Sequence, residues 1–440
     1  MPGDEGARDT IAAIATAAGR GAIGVVRLSG VKVPGIARKL LGRVPEPRRA
    51  TLASFRSALG EPQDRGIALY FPAPHSYTGE PMLELHGHGG AMVMQLVLRA
   101  CLDAGARLAE PGEFTQRAFL EGKLDLAQAE AVADLIDASS REAARSALRS
   151  LGGEFSSAIG ALRAQLIDVR ALTEALLDFP EEEVDAVHRE DAAARLRAVQ
   201  LRLDEVLAKS RQGSLLREGI HVVLAGRPNV GKSSLLNRLA GEERAIVTPV
   251  AGTTRDALRE PIQIDGVPLV LVDTAGLRAS MDLVEQLGIE RTQQELQRAD
   301  LVLFVREAGE TDALPGNLAA EVRRIHVYNK VDLVPGFAPP VGALAVSAKT
   351  GQGLEGLRKA ILSAAGWSAT GESVFLARER HLRALARARE HLDDAGRQLP
   401  RWELFAEELR LAQVALGEIT GEFSADDLLG EIFGRFCIGK

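Results

Sequence analysis

The stretch "GRPNVGKS", residues 226–233, decides the fold of the domain that contains it. It follows the apolar run "IHVVLA" and precedes the helical run "SLLNRLA", and its spacing is that of a phosphate-binding loop, G-x-x-x-x-G-K-[ST]. In such a loop the glycines let backbone N–H groups face phosphate oxygens, so we expect Lys232 to reach the β- and γ-phosphates and Ser233 to ligate Mg²⁺. The alternative, a chance glycine turn before a surface helix, is disfavoured by the flanking strand and helix.

Two further motifs predict the phosphate side of a nucleotide site. "GTTRD", residues 252–256, offers Thr254 as a second hydroxyl ligand for Mg²⁺. "DTAG", residues 273–276, ends the apolar strand "PLVLVD", so Asp273 supplies a carboxylate near the metal and Gly276 an N–H for the γ-phosphate. Each motif alone is weak, but both occur in the order that a GTPase requires.

The base side of the site is predicted by "NKVD", residues 329–332, and "SAK", residues 347–349. The Asp332 carboxylate can accept both N–H donors on the Watson–Crick edge of guanine, whereas adenine presents the opposite pattern there, so the predicted ligand is GTP or GDP. "SAK" adds a backbone N–H toward the guanine carbonyl. The predicted nucleotide-binding residues are Asn229, Val230, Gly231, Lys232, Ser233, Ser234, Thr248, Thr254, Asp273, Gly276, Asn329, Lys330, Asp332, Ser347, Ala348 and Lys349.

The residue that activates the attacking water is less obvious. Ras-like GTPases place a glutamine directly after Asp-x-x-Gly, but Leu277 follows Gly276 here. Another polar residue must therefore orient the water. The additional positive charge at the phosphates could come from Arg255, from a partner or from a bound monovalent cation.

The order of the strand and helix patterns along the sequence predicts several domains. Short strands and glycine turns up to about residue 120 indicate a compact α/β domain, apolar residues at helical spacing follow, and β-α alternation runs from 220 to about 366. We therefore predict a multidomain α/β plus α protein in which a P-loop GTPase domain, 218–369, is inserted into an all-α helical domain formed by 121–217 and 370–440. Residues 1–120 form the N-terminal α/β domain.

Bulk composition restricts where such a protein works. The formal net charge of -7 argues against broad adhesion to nucleic acid, so we expect contacts with RNA to be local or shared with a partner. The two cysteines cannot form a disulfide framework, and neither a secretory signal nor an apolar run of membrane-spanning length is visible. These features predict a cytoplasmic protein without a membrane association.

With these motifs the chain resembles the tRNA-modification GTPase family called MnmE or TrmE. The segments that carry the resemblance are "DTIAAIAT", "GRGAIGVVRLSG", "SYTGE", "LELHGHGG", "PGEFTQRAFLEGKLDLAQAEAVADLI" and, at the end, "GEITGEFSADDLLGEIFGRFCIGK". The resemblance implies an N-terminal dimerisation and tetrahydrofolate-binding domain, a split helical domain and an inserted Ras-like GTPase domain.

The resemblance also implies how GTP is hydrolysed. At the matching position after the Asp-x-x-Gly loop the chain has Glu285, which would position the attacking water, with Lys232 as the second catalytic group at the phosphates. A K⁺ ion that stimulates hydrolysis would be held by residues matching Asn229, Thr248, Val250 and Thr253. The loop that holds this ion would become ordered when two GTPase domains associate in a homodimer. Without the family match, Glu285 would be interpreted as a solvated glutamate at a helix start.

A folate site is the second implication of the resemblance. Arg27, Glu84, Lys123 and Lys440 match family positions that bind formyl- or methylene-tetrahydrofolate, and Cys437 matches a residue important for modification. The alternatives are surface ion pairs for the charged residues and a packed, inert thiol for Cys437.

The activity implied by the resemblance is addition of an aminomethyl or carboxymethylaminomethyl group to carbon 5 of the wobble uridine of certain tRNAs. The family acts with the flavin-containing partner MnmG, so FAD is expected on that partner. Two alternatives remain: a ribosome-assembly or translation GTPase that acts as a binding switch, and a scaffold whose nucleotide site only stabilises dimers.

Overall fold

The structure of the protein is a computed structural model that describes residues 9–178, 186–242, 259–273, 299–310, 323–367, 374–399, 401–422, 426–434 and 436–439. Contacts within the chain divide it into two compact units. The first contains residues 1–133 and 417–440, and the second contains residues 134–416. Among the described residues, each unit contains one sheet.

The first unit is built on a mixed sheet with strand order β3-β4-β5-β2-β1-β6. Neighbouring strands are antiparallel except β1 and β6, which are parallel. The strands are β1 (Ile11–Ile14), β2 (Ile23–Ser29), β3 (Thr51–Arg56), β4 (Pro62–Phe71), β5 (Met82–His88) and β6 (Arg107–Leu108).

One face of this sheet packs on helices α1 (Val33–Leu41) and α2 (Ala91–Asp103). Alternate residues of β2 and β5, such as Val26 and Leu85, point into that core, because successive side chains of a strand face opposite sides. Arg27 and Glu84 are direct partners in the β2–β5 register. The alternation therefore places this charged pair on the other face of the sheet.

Helices from the N-terminal and C-terminal parts of the sequence pack together in this unit. They are α3 (Glu113–Leu120), the first part of α4 (Leu126–Asp137) and α12 (Asp426–Gly434). Leu126 of α4 packs in one apolar cluster with Phe433 and Phe436. The last described segment thus belongs to the same packed body as the N-terminal sheet.

The second unit contains long helices whose buried faces follow the sequence pattern. Phe155, Ile159, Leu162, Leu166 and Val169 are each at most 2% exposed, as the helical spacing predicts. The helices are α5 (Arg141–Leu151), α6 (Glu154–Asp178), α7 (Ala186–Glu218), α10 (Glu379–Gln398) and α11 (Trp402–Thr420).

A second sheet lies between α7 and α10 in the chain, with strand order β12-β11-β10-β7-β9-β8. All neighbours are parallel except β8, which is antiparallel to β9. Its elements are β7 (Ile220–Ala225), α8 (Lys232–Glu242), β8 (Arg259–Ile264), β9 (Val267–Asp273), β10 (Leu301–Glu307), β11 (Arg323–Asn329), β12 (Ala343–Ala345) and α9 (Leu354–Ala364).

These two sheets and their helices confirm the predicted fold class, a multidomain α/β plus α protein. The boundaries at residues 120, 217 and 369 stay predictions. Within the described ranges, no helix combines the length and apolar character needed to cross a bilayer.

Candidate functional site

The phosphate-binding loop connects β7 to α8 and depends on two glycines. Gly226 has φ +152° and Gly231 has φ +91°. A Cβ atom on Gly226 would lie 2.2 Å from the carbonyl oxygen of Val305, and one on Gly231 would lie 2.4 Å from Nδ2 of Asn329. Only glycine fits at these positions, so the loop forms the tight curl that a phosphate cradle needs.

Lys232 begins α8 and its ammonium lies within the curl. The residue is 4% exposed, and Nζ donates hydrogen bonds of 2.8 Å to the carbonyl oxygens of Gly226 and Arg227. Ser233 and Ser234 follow in the first turn of α8 and are exposed. The ammonium, the helix N-terminus and an accessible hydroxyl at this position fit a phosphate group and its metal ion.

Asn329 links the phosphate loop to the base-recognition loops. It ends β11 and is 1% exposed. Its Nδ2 donates a hydrogen bond of 2.9 Å to the carbonyl oxygen of Val230, and its Oδ1 accepts one of 3.0 Å from the backbone N–H of Ala348. One buried amide therefore connects three predicted nucleotide-binding segments.

The carboxylate predicted to read guanine is also held in place. Ser347 Oγ donates a hydrogen bond of 2.6 Å to Asp332 Oδ1 and accepts one of 3.1 Å from the backbone N–H of Thr350. Lys330, with φ +63°, forms an ion pair of 2.8 Å with Glu307 at the end of β10. Lys349 follows in the same loop and is exposed. These contacts hold the base-recognition motifs in a fixed orientation.

The predicted residues at the phosphates are described only in part. Asp273 ends β9, and its backbone pairs in register with Leu224 of β7, next to the start of the phosphate loop. In parallel sheets, ligands bind at the carboxyl ends of the strands, and β7, β9 and β11 all end at this edge. Thr248, Val250, Thr253, Thr254, Gly276 and Glu285 lie outside the described residues.

A second charged site lies on the face of the N-terminal sheet opposite α1 and α2. Arg27 donates to Glu84 Oε1 from Nε at 3.0 Å and from Nη2 at 2.9 Å, and His86 Nε2 lies 3.1 Å from Glu84 Oε2. The Arg27 guanidinium carbon lies 5.7 Å from the ring centroid of Tyr77 and 5.9 Å from that of Phe114. This half-buried pair beside two aromatic rings can offer both hydrogen bonds and stacking to a planar heterocycle.

The loop that carries Tyr77 also contacts Lys123. A Cβ atom on Gly79, which has φ +84°, would lie 3.4 Å from Lys123 Cε. The Tyr77 hydroxyl shares a hydrogen bond of 2.8 Å with Thr115 of α3, and burial raises the pKa of Tyr77. Lys123 therefore borders the same loop as the aromatic ring beside Arg27.

The C-terminal segment docks beside this site. Ile438 forms an antiparallel bridge with Pro111, and Gly112 N–H donates to the Cys437 carbonyl oxygen at 3.5 Å. Gly439 is buried with φ +97°, and a Cβ atom there would lie 2.5 Å from the Ile14 carbonyl oxygen. Cys437 is exposed, whereas Lys440 lies outside the described residues.

The segment that receives the C-terminal residues is fixed by an ion-pair network that motif reasoning missed. Glu113 accepts hydrogen bonds of 2.7 Å and 2.9 Å from Arg107 and of 2.8 Å from Arg117, which also pairs with Glu80 at 3.0 Å. Burial raises the pKa of Glu113, but these hydrogen bonds and one from the backbone N–H of Glu110 outweigh it and keep the pKa below its usual value. The four-residue spacing of Glu113 and Arg117 was the available signal.

Comparison with known proteins identifies the family of this chain. The family model described as "GTP-binding protein TrmE N-terminus" matches residues 10–123, and that described as "MnmE helical domain" matches residues 126–437. The tRNA modification GTPase MnmE of Azoarcus sp. (strain BH72) is 62% identical over 98% of each chain. The proteins of the same name from Thiobacillus denitrificans and Dechloromonas aromatica are 59% and 58% identical over 98% of this chain and 98% and 99% of theirs.

Proposed function

The chain belongs to the MnmE family of tRNA modification GTPases, and from this we propose that it hydrolyses GTP to support modification of the wobble uridine in tRNA. The observation that carries the proposal is the arrangement around Asn329. This side chain joins the phosphate loop at Val230 to the base-recognition loop at Ala348. A site built in this way binds the phosphates and the base of one nucleotide together.

Guanine recognition follows from the chemistry of Asp332. Its carboxylate accepts a hydrogen bond from Ser347, which fixes the orientation of the group and leaves the other oxygen available. Guanine presents two adjacent N–H donors at its Watson–Crick edge, and adenine does not. The site therefore selects GTP over ATP.

Hydrolysis requires a polarised γ-phosphate and an oriented water. Lys232 supplies positive charge from within the loop, and Ser233 and Thr254 would hold Mg²⁺, which neutralises phosphate charge when bound. Asn229, Thr248, Val250 and Thr253 would hold K⁺ as a second positive charge. Glu285 orients the attacking water in place of the glutamine that Ras-like proteins use.

The N-terminal site is proposed to bind the one-carbon donor. Arg27 and Glu84 suit the donors and acceptors of a pterin, and the rings of Tyr77 and Phe114 lie beside the guanidinium. Lys123 and Lys440 would meet carbonyls or the glutamate tail. Formyl- or methylene-tetrahydrofolate, when bound, supplies the carbon that is added to uridine.

Cys437 is proposed as a residue that modification requires. Its thiol is exposed, while its backbone is tied to the segment that leads into Phe114. This placement near the aromatic cover of Arg27 supports a role beside the one-carbon donor. GTP hydrolysis does not involve this residue.

The complete reaction requires other chains. We infer a homodimer whose GTPase domains associate when GTP binds, acting in the cytoplasm with the FAD-containing MnmG partner to add an aminomethyl or carboxymethylaminomethyl group. Because the net charge is -7, most of the affinity for tRNA is expected to come from that partner.

Two measurements test the proposal. Mass analysis of wobble uridines in tRNA from cells that lack the protein should show loss of the modification, and its normal presence would favour a binding-switch GTPase instead. The purified protein should hydrolyse GTP faster in K⁺ than in Na⁺ at equal ionic strength. Equal rates would remove the K⁺ site from the proposal.

A further inference from the structure

A corner between α4 and α5 in the second unit contains a buried carboxylate with two arginine partners. Asp134 lies in the last turn of α4, and its side chain is 7% exposed. Its Oδ1 accepts hydrogen bonds from Arg217 Nε at 3.0 Å and from Arg378 Nη2 at 2.8 Å. A buried carboxylate of this kind holds its partners firmly, because losing either one leaves charge poorly compensated.

The two arginines mark the places where the chain enters and leaves the Ras-like sheet domain. Arg217 is in the last turn of α7, three residues before β7 begins at Ile220. Arg378 is the N-cap of α10, the first helix that follows the domain in the described chain. One carboxylate thus fastens both connections.

The two connecting segments also touch through their backbones. A Cβ atom on Gly213 of α7 would lie 1.6 Å from the carbonyl oxygen of Phe375, so only glycine permits this approach. Arg149 of α5 donates a hydrogen bond of 3.4 Å to the carbonyl oxygen of Val374 in the same segment. Entry and exit are therefore packed against each other beside the Asp134 corner.

The same corner contacts the far end of the β8–β9 hairpin. Gln263 Nε2 donates a hydrogen bond of 2.6 Å to the Ser139 carbonyl oxygen. A Cβ atom on Gly266, in the hairpin turn, would lie 2.8 Å from Glu142 Cγ. At its other end the hairpin reaches the nucleotide edge, because β9 ends at Asp273. The hairpin thus runs from the catalytic loops to the helical corner.

A cleft beside the carboxylate leaves room for movement. It has a volume of about 400 Å³ and is lined by residues that include Asp134, Asp137, Arg217 and His221. Packed interiors resist small displacements, whereas a cleft of this size can narrow or widen without compressing a core. The carboxylate at its wall keeps the two connections fastened to each other while the hairpin shifts.

We propose that Asp134 is a positioning residue that couples GTP hydrolysis to tRNA modification by fastening both connections of the Ras-like domain to the helical corner. The inference rests on the proposed function. A change at the nucleotide edge moves the hairpin against residues 139–142, and the clamp makes α7 and α10 follow that movement together. Without the carboxylate, the domain still binds and hydrolyses GTP. A change of nucleotide at its site then no longer shifts α7 and α10 together.

The test replaces Asp134 with asparagine and follows both activities. Asp134→Asn keeps the shape of the side chain but loses the charge that the two arginines share. We expect the variant to hydrolyse GTP at the wild-type rate, while tRNA modification in complemented cells falls by about tenfold or more. Asp134→Glu, which keeps the charge, should recover part of the modification. Asp137→Asn, at an exposed carboxylate of the same helix and cleft, should behave like wild type.

Two results would overturn the inference. Normal modification by a folded Asp134→Asn protein would show that the clamp is dispensable, and a parallel loss of hydrolysis and modification would show a general structural role. If Asp134→Asn does not fold, Arg378→Lys, which keeps the charge but loses the forked geometry, is judged by the same two outcomes. Failure of the proposed function is distinguishable, because the wild-type protein itself would then lack GTP hydrolysis or leave tRNA unmodified.

Discussion

Asn329 donates a hydrogen bond of 2.9 Å to the carbonyl oxygen of Val230, so the base-recognition motif and the phosphate loop are held together by one buried side chain. The side-chain oxygen Oδ1 of Asn329 accepts a hydrogen bond of 3.0 Å from the backbone N–H of Ala348. Both ends of the amide are therefore satisfied. Because an unpaired buried group is costly, this amide keeps the two halves of the nucleotide site in register.

We predict that Asn329→Ala weakens GTP binding by about tenfold to 100-fold, because two buried backbone groups lose their partner. Titration with a fluorescent GTP analogue measures the dissociation constant. Asn237→Ala, at an exposed position of α8, is the matched control and should bind as wild type does. An affinity unchanged in Asn329→Ala would mean that the nucleotide alone holds the loops in place.

A second prediction concerns base selection by Asp332. Asp332→Asn replaces an acceptor by a group that can also donate, so the variant should lose affinity for GTP and gain affinity for XTP, whose base has a carbonyl where guanine has an amino group. We expect the ratio of the dissociation constants for GTP and XTP to change by about 100-fold, because a charged hydrogen bond to guanine is lost and a hydrogen bond to the carbonyl of xanthine is gained. Competition between the two nucleotides measures it, and a retained preference for GTP would contradict the assignment.

Glu285 is predicted to act in hydrolysis without contributing to binding. Glu285→Ala should keep the wild-type dissociation constant for GTP and lose about 100-fold or more in kcat, the usual contribution of a group that handles the attacking water. Single-turnover hydrolysis with saturating protein separates the two effects. Glu355→Ala, at an exposed glutamate of α9, is the control, and an unchanged kcat in Glu285→Ala would reject the role.

The two cysteines are predicted to differ in function. Cys437 is exposed, whereas Cys101 is fully buried in α2, where burial raises its pKa to about 12. Cys437→Ser should abolish tRNA modification and leave GTP hydrolysis intact, and Cys101→Ala should retain both activities. Mass analysis of tRNA from complemented cells decides between the variants. Normal modification with Cys437→Ser would make its thiol a structural group.

The Glu113 network predicts a dependence of stability on pH. The pKa of Glu113 is lowered in the folded protein, so its stabilisation is complete above its ordinary pKa of 4.5 and is lost as the pH falls through the folded value. At pH 7, Glu113→Gln should destabilise the first unit by about 3 kcal/mol, since it removes one partner of a buried ion-pair network.

Pulse proteolysis in urea measures this effect when the cleavage sites are located, because cleavage within residues 9–133 reports unfolding of the first unit. The difference between wild type and Glu113→Gln should shrink as the pH is lowered below the ordinary pKa. Glu110→Gln, at an exposed neighbour, should match wild type at every pH. A difference that is constant with pH would mean that packing, and not charge, is responsible.

The sequence was most informative where function depends on local spacing. The phosphate loop needs glycines and a lysine at fixed positions in one short segment, and the helical stripe of α6 needs only a regular repeat, so both could be predicted. Contacts between segments that are distant in the sequence could not be predicted. Asn329 and Val230 are 99 residues apart, and Asp134 and Arg378 are 244 apart, and no periodic pattern relates such pairs.

The charged residues of the N-terminal sheet show the same limit. Resemblance alone suggested Arg27 and Glu84 for a common site, and the antiparallel register of β2 and β5 brings them opposite each other. That register depends on which face of each strand is buried, which becomes known only when the helices have packed. Tyr77 and Phe114 were missed because scattered aromatic residues are indistinguishable from core residues in a sequence.

The contact between Gly213 and the carbonyl oxygen of Phe375 also has a consequence for the entropy of the chain. The chain leaves the helical bundle and returns to it at adjacent points, so the segment between them is a closed loop. The entropy of closing such a loop depends only weakly on its length. The nucleotide-binding domain can therefore vary in length at little entropic cost to the helices on either side of it.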